Sequence, residues 1–186
     1  MQVFSEERAY LIAAADELED YLLSGAANWR LAGPESFPPL TPGYVLLTMK
    51  RLAGLRTVDS EYGQIQEALD KIEEIRLRWK SVWIKRSRQE IPQRLRLWSN
   101  YLDGLLQTSN LAHQEFSWSV RWRVMLVLLA EVIGDQDPET SQRLIVMDER
   151  LRAISLPGSF VWDKRLESIF NPVDFWFLYL QISLRS

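Results

Sequence analysis

The sequence predicts an all-α fold: a single-domain helical bundle of about six to eight helices, with a long central antiparallel pair, over residues 1–186. Apolar residues recur at helical spacing along nearly the whole chain. Two capping residues stand directly before a proline, at Thr41-Pro42 and Asp137-Pro138, which is typical of a helix start. No segment alternates polar and apolar residues over the length of a strand.

The first helix is predicted from one apolar stripe. Ser5 can cap its start, and Gly25 can end it in a left-handed conformation. The stripe consists of Phe4, Leu11, Ala15, Leu18 and Leu22. The polar side is strongly acidic, with Glu6, Glu7, Asp16, Glu17, Glu19 and Asp20 opposed only by Arg8.

A loop containing proline and glycine is predicted over 26–43, because Gly33-Pro34 and Phe37-Pro38-Pro39 interrupt the helical spacing. We expect it to be ordered and pinned by Trp29, Phe37 and Leu40. Thr41-Pro42 then begins a second helix, which runs to about Arg56.

The longest helix is predicted to begin at Asp59-Ser60 and to run to about Arg88. Pro92 lacks an N–H group and clashes with the preceding turn, so we expect a break or bend at 89–91. A new helix should then run from Pro92 to about Gln107.

The remaining helices follow from their caps. Asn110 opens one that ends at Gly134, and Asp137-Pro138 opens another that runs to about Ile154. Asp163 opens a short helix to Phe170, and Asn171-Pro172 opens an aromatic C-terminal helix over 172–184. That last helix is apolar on nearly every side, so it must be surrounded, either as the centre of the domain or against another subunit.

Composition limits the chemistry and suggests the compartment. The chain has no cysteine and one histidine, His113, against eight tryptophans. The absence of cysteine excludes thiol nucleophiles, zinc–thiolate sites and disulfides. No apolar run approaches the length of about 20 residues that a membrane span needs. The N-terminus lacks the pattern of a secretory signal, so we expect a cytoplasmic protein without membrane contact.

The segment 76–96 is the most distinctive local feature. It holds eight basic residues and the single acid Glu90, so it carries a net charge of +7 while the rest of the chain carries −10. Trp79, Trp83 and Trp98 are interleaved with it, as in grooves that bind single-stranded nucleic acid. Trp79 and Trp83 also continue a core-facing stripe, which would make the cations a solvated face partly neutralised by the acidic first helix. The basic residues are Arg76, Arg78, Lys80, Lys85, Arg86, Arg88, Arg94 and Arg96.

Residues with catalytic potential do not form a recognisable constellation. His113 has no partner at helical spacing, and the acids at 135–139 lack the glycine and glutamate of a calcium loop. The adjacent pairs Glu73-Glu74 and Asp148-Glu149 should diverge, because neighbouring helical residues point about 100° apart. Trp118 and Trp122 lie one turn apart, and core packing accounts for both rings. We therefore expect no cofactor and no metal ion.

The leading hypothesis is a non-enzymatic protein–protein interaction module, an adaptor or accessory subunit of a larger bacterial-type complex. The partner would be another protein, as a hetero- or homo-oligomer. Two alternatives stay open: a nucleic-acid-binding helical protein that uses 76–96, and an enzyme or cofactor-binding protein with an unrecognised carboxylate site. The predicted contact residues are Arg78, Lys85, Arg86, Arg88, Phe175, Trp176 and Tyr179.

Overall fold

The computed structural model describes residues 2–26, 29–53, 61–105, 112–135 and 137–183. These residues form six α-helices and a two-stranded antiparallel sheet, which confirms the predicted all-α class. None of the described helices carries an apolar run long enough to cross a lipid bilayer. The helices are α1 (Gln2–Ser24), α2 (Pro42–Ala53), α3 (Glu61–Arg78), α4 (Lys80–Leu105), α5 (Ala112–Ile133) and α6 (Pro138–Ala153). The strands are β1 (Ser155–Pro157) and β2 (Leu180–Ile182), and two 3₁₀ helices cover Lys164–Leu166 and Trp176–Tyr179.

The chain divides into two compact units. Unit 1 is Met1–Glu90 and unit 2 is Ile91–Ser186, so α4 contributes residues to both. Each unit has its own buried apolar core. The organisation as one domain over 1–186 stays a prediction.

The core of unit 1 forms where α1 packs against α2 and α3. The predicted stripe of α1 is buried at Leu11, Ala15, Leu18 and Leu22, and Gly25 follows the helix with a φ of 75°. The helix begins at Gln2, earlier than the expected cap at Ser5. Ser5 therefore lies inside the first turns, and nothing in residues 2–4 is a helix breaker.

The predicted loop is ordered over its described part, 29–41. Trp29 and Leu40 form an isolated bridge in which the Leu40 amide donates to the Trp29 carbonyl at 2.9 Å. The Trp29 indole donates to Glu17 at 2.6 Å, and the Phe37 ring packs edge-on against Tyr10. The pinning by Trp29, Phe37 and Leu40 is thus confirmed.

The cap of α2 is also confirmed, since the Tyr44 amide donates to the Thr41 hydroxyl at 3.4 Å. The predicted boundaries at Arg56, Asp59-Ser60, Gln107 and Asn110 lie outside the described residues.

The predicted break at 89–91 is wrong, because α4 runs through Pro92 without interruption. A proline inside a helix removes one hydrogen bond, to the carbonyl four residues earlier, here that of Arg88. Both Pro92 and Arg88 are exposed, so water can solvate the carbonyl that loses its donor. The departure from α-helix falls instead at Trp79, a single turn residue, where helical hydrogen bonds continue from Trp79 to Ile75 and from Trp83 to Trp79.

In unit 2, α4 and α5 pack through stacked rings. Tyr101 lies parallel to Trp98, with centroids 5.6 Å apart, and to Phe116 on α5 at 6.4 Å. Helix α6 begins as predicted, with the Asp137 carboxylate accepting from the Thr140 amide at 2.9 Å. Hydrogen bonds from the Thr140 hydroxyl and amide lower the pKa of Asp137.

The predicted C-terminal helix over 172–184 is wrong in its described part. The chain forms turns and a 3₁₀ helix at Trp176–Tyr179, and Leu180–Ile182 then pairs with Ser155–Pro157 as β2 and β1. A continuous apolar run does not distinguish a buried helix from a buried strand, and aromatic residues favour strands. The short helix expected from Asp163 to Phe170 is confined to the 3₁₀ turn Lys164–Leu166.

Candidate interaction surfaces

Two of the arginines in 76–96 are already held by acids of unit 1. Arg78 donates to Glu19 of α1 at 3.2 Å and to Glu74 of α3 at 2.6 Å. Arg76 donates to Glu73 at 2.7 Å. Hydrogen bonds from the Trp79 indole and from Arg78 lower the pKa of Glu19. The expected neutralisation of basic residues by the acidic first helix is therefore present at Glu19.

Arg86 is buried, although the sequence placed it among the contact residues. One guanidinium nitrogen donates to the Ala26 carbonyl at 2.8 Å, and the other to the carbonyls of Tyr21 and Leu22 at 3.2 and 3.4 Å. These carbonyls lie at the C-terminal end of α1, where a positive charge is favourable. Arg86 thus caps the C-terminal end of α1 and is not part of an exposed surface.

Besides Arg96 in unit 2, three other basic residues of α4 remain at the surface. Lys80, Lys85 and Arg88 are exposed, and the structure records no acid within 4 Å of their charged groups in the described part of the chain. We call Lys80, Lys85 and Arg88 the cationic face of α4. Of the predicted basic contacts, Lys85 and Arg88 belong to it, and Arg78 is exposed but paired.

The only acid within 76–96 is turned inward. The Glu90 carboxylate is buried, accepts from the Thr41 hydroxyl at 2.8 Å and from the Gly43 amide at 2.7 Å. A carboxylate in this position stabilises the N-terminus of α2. Glu90 is therefore engaged within unit 1 and does not neutralise the cationic face.

Neither tryptophan beside the cationic face offers a free ring for base stacking. Trp83 is 2% exposed and lies under the Arg76 guanidinium, 5.1 Å from its ring centroid. Trp79 is half-buried, and its indole is held by Glu19 at 2.7 Å. The predicted core placement is confirmed for Trp83.

A second surface lies on α5, where the sequence predicted only core packing. Trp118 is 61% exposed, and the Arg121 guanidinium lies 3.2 Å from its ring centroid. Trp122 is half-buried, with the same guanidinium 5.8 Å from its ring. We call Trp118, Arg121 and Trp122 the indole surface of α5. The sequence does contain a signal for this surface. The three residues share one side of the helix, and they precede its continuous apolar run, which begins at Val124.

The C-terminal aromatics are mostly core. Phe175 is 1% exposed and packs edge-on against Phe170, so in this conformation it cannot reach a partner. The Tyr179 hydroxyl donates to the carbonyls of Phe170 and Glu167, and burial raises its pKa. Trp176 is half-buried, with the Arg152 guanidinium 4.0 Å from its ring centroid. Of the three predicted contacts in this group, Trp176 and Tyr179 are half-buried and Phe175 is buried.

The carboxylates of the described residues are dispersed. Glu73 and Glu74 bind different arginines, and Asp148 binds Arg123, so the adjacent pairs diverge as expected. In the described ranges, no group of three histidine, cysteine, aspartate or glutamate residues is arranged to hold a metal ion. The side chain of His113 lies outside the described residues. A shallow depression follows one side of α3, lined by Gly63, Gln66, Glu67, Asp70, Lys71 and Glu74.

Comparison with protein-family models, with curated proteins and with solved structures found no match to this chain.

Proposed function

We propose that this chain is a non-enzymatic interaction module, an accessory subunit of a larger bacterial-type complex in the cytoplasm. Its role is to bind another protein. The observation that carries the proposal is Trp118, a tryptophan that is 61% exposed and backed by an arginine.

The indole surface of α5 has the composition of an interface centre. Tryptophan and arginine are the residue types most enriched among those that dominate binding energy. A large flat ring loses little conformational entropy on binding, and the guanidinium that lies against it reduces that loss further. Because most of the Trp118 side chain is exposed, its ring is available for contact with a partner.

Site-specific crosslinking tests the proposal. A benzophenone amino acid replaces Trp118 in one variant and Val173 in the matched control, because Val173 is an apolar residue with 82% exposure that belongs to neither named surface. We expect a discrete crosslinked protein from position 118 in the native cell and none from position 173. A crosslink to a second copy of the chain identifies a homo-oligomer, and a crosslink to a different polypeptide identifies a hetero-complex.

The result must also depend on the indole itself. Trp118→Ala should weaken binding of the identified partner by at least tenfold, which corresponds to about 1.4 kcal/mol. Val173→Ala should leave the affinity unchanged. Equal crosslinking from both positions, or no crosslink and a monomer by light scattering, would overturn the proposal.

A further inference from the structure

We infer that the cationic face of α4 binds an acidic polypeptide segment of the partner, an inference that rests on the proposed function. It concerns Lys80, Lys85 and Arg88 in unit 1, whereas the indole surface of α5 lies in unit 2.

The helical period separates this face from the buried side of α4. Successive helix residues turn by about 100°, so Lys85 and Arg88 lie about 60° apart on α4. The buried residues Trp83 and Glu90 point about 140–160° away from these two cations. Lys80, in the first turn of α4, is exposed as well.

No described acid of unit 1 forms an ion pair with this face. Glu19, Glu73 and Glu74 are engaged by Arg78 and Arg76, and Glu90 is buried under Thr41 and Gly43. An unneutralised cluster of cations attracts and orients an oppositely charged surface. Charge complementarity therefore selects an acidic partner.

The geometry favours a polypeptide over a nucleic acid. Nucleic-acid sites combine a long basic track with rings on which bases stack, and tight binding typically neutralises several phosphates. Here the row spans only about 12 Å, since eight helical residues rise about 1.5 Å each. Trp79 and Trp83 are held by Glu19 and Arg76, so they do not offer stacking platforms. A short segment with two or three carboxylates at one-turn spacing matches this row.

The test compares two doubly charge-reversed variants of the full chain. Lys85→Glu with Arg88→Glu changes the cationic face. Arg143→Glu with Lys164→Glu makes the same change in net charge at exposed cations of unit 2. The probe is a fluorescein-labelled oligomer of L-glutamate, followed by fluorescence anisotropy at low salt, and a single-stranded DNA of equal charge serves as the competing class.

We expect the glutamate oligomer to bind the unchanged protein and to bind the Lys85/Arg88 reversal at least tenfold more weakly. The unit 2 reversal should keep its affinity. Lys85→Arg with Arg88→Lys keeps both charges and should also keep it, which separates lost charge from a lost fold. Binding should weaken as salt rises.

Three results would overturn the inference: no binding of the glutamate oligomer, equal loss in both reversed variants, or tighter binding of the DNA than of the glutamate oligomer. These outcomes leave crosslinking at position 118 unaffected. A crosslinked partner with no dependence on Lys85 and Arg88 rejects the inference alone, whereas the absence of any partner rejects the proposed function.

Discussion

Arg123 of α5 and Asp148 of α6 form a bidentate ion pair, with Nε donating to Oδ1 at 2.9 Å and Nη2 donating to Oδ2 at 2.8 Å. Both side chains are nearly buried, at 10% and 13% exposure, and the Arg123 guanidinium lies 4.7 Å from the Phe177 ring centroid. The pair therefore links α5, α6 and the aromatic cluster within unit 2. A buried pair of this kind is costly to break from one side, because the remaining charge is left without compensation.

Asp148→Ala should lower the free energy of unfolding by about 3 kcal/mol. The matched control is Asp103→Ala, which removes the exposed pair between Asp103 and Arg150. That change should cost less than about 1 kcal/mol. Urea unfolding measures both, and equal effects of the two changes would show that burial does not strengthen the Arg123–Asp148 pair.

Arg86→Met should destabilise unit 1 by about 2–3 kcal/mol, because the carbonyls of Tyr21, Leu22 and Ala26 lose charged donors. Arg86→Lys should recover only part of this, since an ammonium group lacks the planar fork of a guanidinium. Hydrogen exchange of the last turn of α1 reports the effect locally. Arg88→Met, two positions along the same helix but exposed, should change stability by less than about 0.5 kcal/mol. A similar loss at both positions contradicts the role given to Arg86.

Gly43→Ala should lower stability by about 1–2 kcal/mol, even though alanine normally favours a helix over glycine. A Cβ atom at residue 43 would lie 2.6 Å from the Glu90 Oε1 atom, and that carboxylate is held by Thr41 and by the residue 43 amide. Gly104→Ala in α4 is the control, because no described atom lies within 4 Å of a Cβ built there. It should stabilise the protein by about 0.5–1 kcal/mol. If thermal unfolding shows that both changes raise stability, the contact with Glu90 does not outweigh the helix preference of alanine.

The stability of unit 1 should depend on pH through Glu7. Burial raises the pKa of Glu7 above its usual value of 4.5, and Arg51, at 2.8 Å, offsets this only in part. One oxygen, Oε2, is buried with no hydrogen bond from the described residues. At pH values between the pKa of Glu7 in the unfolded chain and its higher pKa in the native chain, the native chain binds more protons at Glu7. The contribution of Glu7 to stability is therefore fully present below the unfolded-state pKa and is lost as the pH rises through the native-state pKa.

Glu7→Gln should therefore flatten the decline in stability between about pH 4 and pH 7.

Asp163→Asn should change the pH dependence of stability in the opposite direction, because hydrogen bonds from Arg165 hold the pKa of Asp163 well below its usual range. The contribution of Asp163 is present above its usual pKa and is lost only as pH falls towards its native value. Urea midpoints across this range measure both changes, and an unchanged slope for Glu7→Gln would falsify the assignment.

Local signals in the sequence predicted the parts of the fold that depend on neighbouring residues. Asp137 caps α6 through an amide three positions away, and Gly25 ends α1 with a positive φ. Both require only the chain's immediate context, so capping rules apply directly. The same holds for the core-facing stripe of α1.

The wrong predictions depend on the three-dimensional surroundings of each segment. Local rules predict a helix break before Pro92, but exposure of the affected turn allows α4 to continue. The segment that forms β2 pairs with β1, about 25 residues earlier, and no local pattern encodes that choice. Local rules do not record which residues from elsewhere in the chain are available as partners.

The candidate surfaces were predicted in part. Net charge located the basic segment, but it did not distinguish exposed Arg88 from buried Arg86, whose carbonyl partners lie 60–65 positions away. The sequence alone favours core packing for the Trp118 ring. Only three-dimensional packing shows that this indole faces solvent.

The positions of Arg86 and Glu90 have a consequence for biosynthesis. The end of α1 and the start of α2 are both made early, yet the groups that stabilise them arrive 47–65 residues later in the chain. At translation rates of about 5–20 residues per second, the ribosome needs several seconds to supply them. Unit 1 therefore cannot complete its fold until residue 90 has left the exit tunnel, and the nascent N-terminal helices must remain without their final contacts until then.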